Sequence, residues 1–219
     1  MDLTDQGFAA RVSPTASSRR RHRAAAVAIA ALTSVMGVMS PAFAAGGTPA
    51  GALRAGTTQM QQSPGYTFSA RITTAGSAVK IAGEFQAPDR VHEVVQIGTA
   101  PPSELVMIGT QAYARDASGT WRSTTTAGSG QSDVRAAFTA LQSADRVKHH
   151  GHTLTFHLTP TAAQHLVGAS TTGGLTGSVT LAATGITQLR YRTRTGGHNV
   201  TVKIDYTLTS TPPTVSAPT

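Results

Sequence analysis

Tyr66 to Ile97 reads YTFSARITTAGSAVKIAGEFQAPDRVHEVVQI. Tyr66, Phe68, Ala70 and Ile72 alternate with Thr67, Ser69, Arg71 and Thr73. Val79, Ile81, Gly83 and Phe85 repeat the pattern, and Val91, Val95 and Ile97 repeat it again with Glu93 among them. Successive side chains on a strand point to opposite faces, so these runs predict a three-stranded meander with one apolar face. A spacing of three and four, which a helix needs, fits none of them. Gly76-Ser77 and Pro88-Asp89 supply turn chemistry at the joints. Such a sheet must cover its apolar side with another layer.

The N-terminus reads as an export signal. Arg19, Arg20, Arg21 and Arg23 precede an uncharged apolar stretch, Ala24 to Met39. Pro41 and the A-x-A site Ala42-Phe43-Ala44 follow, the layout of a secretory signal peptide cleaved after Ala44. A membrane anchor needs about 20 apolar residues, and Ser34, Ser40 and Pro41 interrupt this run. Ser18-Arg19-Arg20-Arg21 leaves twin-arginine export open beside the general route. Removing residues 1–44 leaves thirteen basic and eight acidic residues, a net +5 against +8 for the whole chain. There is no cysteine, so the exported domain is held without disulfides.

The expected organisation is a signal peptide at 1–44, a linker with a short helix at 45–63, and a β-rich domain at 64–219. Ala45 to Gly56 is rich in Gly, Ala and Pro. The short helix is expected from about Ala52 to Gln62. Leu105–Ile108 and Gln111–Arg115 form a hairpin across Gly109-Thr110, and Thr120–Thr124 extends the sheet. Ser132 or Asp133 caps a helix bearing Val134, Phe138 and Leu141. Strands at 146–150 and 153–158 follow, then a helix at 161–167 opened by Thr159-Pro160 and closed by Gly168. Strands at 178–183, 186–193 and 199–208 precede a Pro-rich end, which either packs as an extended segment or is disordered. The predicted class is α+β: a curved antiparallel half-barrel sheet of about nine to eleven strands, its concave face covered by short helices.

This layout leaves room for a ligand between layers. Phe68, Ile72, Ile81, Phe85, Val95 and Ile97 are expected to face inward, with Phe138 and Leu141 over them. Tyr113 and Trp121 either line a ligand entrance or pack in the core. Glu93 either orients a polar head group or sits at a sheet edge or beside an Arg. Arg190, Arg192 and Arg194 alternate on one strand face, as a patch for anionic lipid or polymer or as a solvated surface. His149, His150, His152 and His157 cluster, but no carboxylate or cysteine is spaced to complete a metal site, so they read as a polar hairpin face. No nucleophile elbow, P-loop, dinucleotide fingerprint, HExxH or nucleic-acid module is present. The expectation is a non-enzyme without cofactor, metal or nucleic-acid partner.

A dispersed series of residues adds a resemblance. It comprises Tyr66-Thr67-Phe68, Gly83-Glu84-Phe85, Pro88-Asp89-Arg90-Val91, Ile108-Gly109, Tyr113-Ala114-Arg115 and Gly119-Thr120-Trp121. Gly185-Ile186-Thr187 and the ending from Asp205-Tyr206 to Pro218 continue it. In order and spacing it resembles the LolA-like fold, in particular the actinobacterial LppX/LprG-type lipoproteins. That resemblance implies a half-open barrel, an acyl-chain cavity, and a role in carrying or sensing lipids, with a membrane surface or lipoprotein as partner. It implies no catalytic residues. Ala42-Phe43-Ala44-Ala45 stands where many such proteins have an anchoring lipobox cysteine. Two function classes follow: an exported lipid-binding protein, or a cell-envelope interaction domain with a filled core.

N-terminal sequencing of the exported product is expected to begin at Ala45. A membrane-retained form beginning upstream of that residue would overturn the signal-peptide reading.

Overall fold

The computed structural model describes residues 47–74, 76–115, 118–125, 135–167, 173–195 and 197–218. The expected signal peptide, the cap at Ser132 or Asp133, Val134 and Gly168 lie outside them. Helix α1 (Pro49–Gln61) comes first, followed by β1 (Gly65–Thr74), β2 (Ser77–Gln86), β3 (Arg90–Ile97), β4 (Ser103–Ile108), β5 (Gln111–Arg115) and β6 (Trp121–Thr125). Helix α2 (Arg135–Gln142), β7 (Asp145–His150), β8 (Thr153–Leu158) and helix α3 (Pro160–Val167) come next. The chain ends with β9 (Leu175–Ala182), β10 (Gly185–Thr195) and β11 (His198–Leu208).

All eleven strands form one antiparallel sheet, in the order β6-β5-β4-β3-β2-β1-β11-β10-β9-β8-β7. Each half is a meander, except that α3 intervenes between β8 and β9. The two halves meet where β1 pairs with β11. The fold is the α+β half-barrel that the alternation predicts.

The register shows why one face is apolar throughout. Tyr66, Phe68, Ala70 and Ile72 on β1 stand opposite Phe85, Gly83, Ile81 and Val79 on β2. Those in turn face Val91, Glu93, Val95 and Ile97 on β3. On the other flank the same β1 residues meet Leu208, Tyr206, Ile204 and Val202. Paired residues share a face, so the inner layer crosses the seam without interruption. Strand β10 needs one adjustment. A bulge between Ile186 and Gln188 lets Ile186 and Leu189, three apart in sequence, both be buried.

Two glycines on the inner face accommodate aromatic rings. Phe68 lies over Gly83, and Phe156 lies over Gly177, where an added Cβ would also come within 2.6 Å of the Arg190 carbonyl oxygen. Any larger residue would collide with the ring, which explains glycine in mid-strand at these points.

The helices pack mainly over the C-terminal half. α1 packs on α2, β7 and β10, and α3 packs on α2 and β8. Most of the segment expected as linker is in fact helical. Thr48 caps it by accepting a hydrogen bond from the Gly51 N–H at 3.1 Å, and Pro49 opens the first turn. This is the same Thr-Pro start that opens α3, where the Ala162 N–H donates to Thr159 Oγ1 at 3.4 Å. Leu53 and Met60 anchor α1 in the core. Gly56 lets it approach Leu181, whose Cδ2 would lie 2.8 Å from an added Cβ.

The Pro-rich end packs as an extended segment. The Val215 N–H donates to Gln86 Oε1 at 2.8 Å, Arg90 Nη1 donates to the Val215 carbonyl at 3.0 Å, and the Val215 side chain is buried.

Leu53→Ala is expected to destabilise the protein by about 2–5 kcal/mol, the usual cost of truncating a buried leucine. Urea unfolding checks this, and an unchanged midpoint would show that α1 is not part of the cooperative unit.

Candidate functional site

The centre of the inner layer is an aromatic cluster with a carboxyl group beside it. Tyr66 contacts Phe85 at 4.9 Å between ring centres, Tyr206 at 5.7 Å and Phe68 at 6.3 Å. Phe138 on α2 reaches over the sheet to Tyr206, with ring centres 6.0 Å apart. The strands contribute these rings because alternate positions of β1, β2 and β11 fall on one face. The helix contributes Phe138 and Leu141 from one side, and both are buried.

Glu93 sits in this layer between Gly83 of β2 and Leu105 of β4. It is fully buried, and neither carboxyl oxygen has a hydrogen-bond partner. Burial pushes its pKa up from an ordinary 4.5 to about 8. The protonated form therefore predominates at neutral pH, with one O–H donor and spare acceptor capacity unused. An unsatisfied buried polar group costs about 1–3 kcal/mol. The phenol of Tyr66 is also held well above its usual range, first by burial and second by the charge that Glu93 would carry. Burial raises Tyr191 and Tyr206 likewise, and for Tyr206 the neighbouring phenols add to it.

The structure brings together most of the expected cavity residues. Phe68, Ile81, Phe85, Val95, Phe138 and Leu141 are buried, and Ile72 and Ile97 are partly buried against them. Tyr113 and Trp121 are not with them. Tyr113 pairs with Val106 and Ser123, and Trp121 pairs with Arg115. Both rows belong to the outer face, because their neighbours on β3 and β4 are the residues alternating with Val91, Glu93 and Val95. There Trp121 lies under the Arg115 guanidinium, 5.9 Å from the ring centre, and Arg115 binds Glu104 at 3.1 Å. Sequence placed them inside because it gives each strand's alternation but not which face joins its neighbour's. Glu93 is neither at an edge nor beside an Arg: β3 lies within the sheet. Tyr66 and Tyr206, the centre of the aromatic cluster, were legible only as members of an apolar strand face.

The histidines do not converge. His157 binds Asp145 Oδ1 through Nδ1 at 2.6 Å, and His152 lies in the turn between β7 and β8. His149 pairs with Leu154 and His150 with Thr153, so those two point to opposite faces. Among the described residues no three His or carboxylate side chains could hold one ion.

Among solved structures, the chain resembles the Mycobacterium tuberculosis lipoprotein LppX. The TM-score is 0.54 at 9% identity, over 77% of this chain and 98% of that one. At that identity the likeness is one of fold. A redesigned β-barrel, mFAP1, bound to DFHBI, aligns at a TM-score of 0.22 and 12% identity over 68% of this chain and 97% of that one, too low to bear on the fold. No protein-family model and no curated protein matches the sequence.

Glu93 has a predictable signature in stability. Its folded pKa lies above its unfolded value, so between about pH 4.5 and 8 the folded state holds a proton that the unfolded state has released. The stability it contributes is complete below pH 4.5 and is lost as pH rises through 8. Its share of the slope approaches about 1.4 kcal/mol per pH unit within that window. Glu93→Gln, which is neutral at every pH, is expected to remove this slope and to be the more stable protein at pH 8. Chemical denaturation at pH 5, 6.5 and 8 measures it, and equal slopes for the two proteins would refute a buried neutral carboxyl.

Proposed function

We propose that this protein is an exported, non-catalytic binding protein for a lipid or another long apolar ligand, held between the sheet and its helices. The observation that carries this reading is Glu93. A carboxyl group with both oxygens unpartnered, at the centre of a layer of Phe, Tyr, Ile and Val, is a place for a ligand's polar atom. The apolar layer around it would take the ligand's chain. The fold shared with LppX, a lipoprotein, is consistent with that reading. Each methylene removed from water contributes about 0.8 kcal/mol. Against a cost of association of about 4 kcal/mol or more, about fifteen of them are needed for micromolar affinity. Chain length should therefore govern affinity more than the head group does.

The ligand enters by parting the layers, because Glu93 and its surroundings are closed to solvent. Phe68 over Gly83 shows how closely the inner layer can pack on itself. That closeness favours the one alternative, a cell-envelope interaction domain with a filled core.

The test is a titration of fatty-acyl probes of increasing length. Affinity is expected to rise with each added methylene, up to about fourfold per step. Ile81→Trp and Val95→Trp are expected to remain folded and to lose binding, since each fills the layer with a large ring. Lipids extracted from the purified protein and identified by mass spectrometry should show a bound acyl species. Absent binding in wild type, or binding unchanged in the folded Trp variants, would replace the carrier with the interaction domain.

A further inference from the structure

The outer face of the sheet carries a second feature, made by register rather than by any one strand. Arg190 on β10 pairs with Lys203 on β11. Lys203 pairs with Arg71 on β1, and Arg71 pairs with Lys80 on β2. In the other direction Arg190 meets Ser178 on β9, then Thr155 on β8 and Lys148 on β7. One cross-strand row thus holds five cations and two hydroxyls over seven strands, with no acid in it. At about 4.8 Å between strands the row spans roughly 30 Å. The adjacent row adds Arg192, flanked by Thr176 and Thr201.

Like charges directly opposite one another across a sheet are destabilising. Lys203 makes the one direct ion pair in this row among the described residues, with Asp205 Oδ2 at 2.6 Å. Burial pushes the Asp205 carboxyl up, but hydrogen bonds from Lys203 and Gln188 and the nearby charges of Lys203 and Arg190 outweigh it and hold the group low. Among the described residues, Arg146, Lys148, Arg190, Arg192, Arg71 and Lys80 enter no ion pair, and all six are exposed. Four of them, Arg146, Lys148, Arg190 and Arg192, line an open groove of about 630 Å³ together with the hydroxyl side chains of Thr155, Thr176, Ser178 and Thr201.

We infer that this groove and its cationic row dock on the surface of an anionic lipid membrane. Arg and Lys charges interleaved with hydroxyl donors match phosphate oxygens, and a row of this length meets several head groups at once. Phe156 and Tyr191 at the groove are buried toward the inner layer and the partly exposed His157 ring is held on Asp145, so no Phe, Tyr or Trp ring is exposed there for a base to stack on. That chemistry suits a lipid head-group plane rather than a nucleic acid. The inference uses only the outer face and stands without the acyl-chain reading of the inner one.

The experiment is co-sedimentation of the exported protein with vesicles of phosphatidylglycerol in phosphatidylcholine, against phosphatidylcholine alone. Binding is expected only to the anionic vesicles and is expected to weaken between 0.1 M and 0.5 M NaCl. Each basic residue at a membrane surface accounts for about a fivefold change in partitioning. The triple variant Lys148→Gln, Arg190→Gln, Arg192→Gln should therefore lose on the order of 100-fold. Arg190→Lys with Arg192→Lys should retain binding, which separates charge from misfolding. The control Arg122→Gln, on β6 and away from the groove, should bind within about twofold of wild type, well short of the fivefold per charge expected in the groove. Ile81→Trp should bind vesicles as wild type does, whatever becomes of its acyl binding. Equal binding to neutral vesicles, an equal loss in Arg122→Gln corrected for charge number, or binding to heparin or duplex DNA without binding to anionic vesicles would overturn the inference.

Discussion

The ladder between β1 and β11 is the interaction on which the rest depends. It joins the first strand of the sheet to the last, from Tyr66 opposite Leu208 to Thr73 opposite Thr201. Without it the molecule would be two separate meanders, each with an apolar face too wide for its share of the helices. With it, the inner layer runs from Met107 on β4 through Tyr66 and Tyr206 to Leu154 on β8 as a single core. The aromatic cluster straddles this seam, and so does the cationic row on the other side. Both surfaces exist because residues far apart in sequence are in register there.

Much of the sheet was legible in the chain because its strands alternate cleanly. Tyr66 to Ile97 shows three strands and both turns, and Val200 to Leu208 shows the last one. What remained hidden had particular physical causes. The bulge after Ile186 breaks the alternation of β10, and no residue type marks it. Helix α1 was obscured by its Gly and Thr content, which lowers helix propensity. Its cap, Thr48 with Pro49, carried the same signal as Thr159 with Pro160 and was there to be read. Tyr113 and Trp121 lie on the outer face, away from the expected cavity, because a short strand far out in a sheet takes its orientation from its neighbour. The alternation of QAYAR alone permits either face. The cationic row was only partly visible, since Arg190 and Arg192 share a strand whereas Lys148, Lys203, Arg71 and Lys80 join them only through pairing.

Glu93 shows the same limit from the opposite direction. Its sequence position, between Val91 and Val95, already placed it on an apolar face. Its lack of a partner could be known only from the surroundings that the fold assembles. Sequence patterns report which residues lie on the core side of a strand, whereas chemistry depends on what meets them there.

The seam also bears on how the chain reaches this structure. Every other pairing in the sheet connects strands that are consecutive in sequence, with short loops or one helix between them. Such contacts close small loops and form early, at little entropic cost. The β1–β11 ladder brings together opposite ends of the domain and carries the largest loop-closure term. A chain emerging N-terminus first can therefore assemble β1 to β6 while β11 is still absent, leaving the β1 edge open for some time. Its outward side chains there are Thr67, Ser69, Arg71 and Thr73. A charged residue among small hydroxyls on a waiting edge discourages pairing with another molecule before the proper partner arrives.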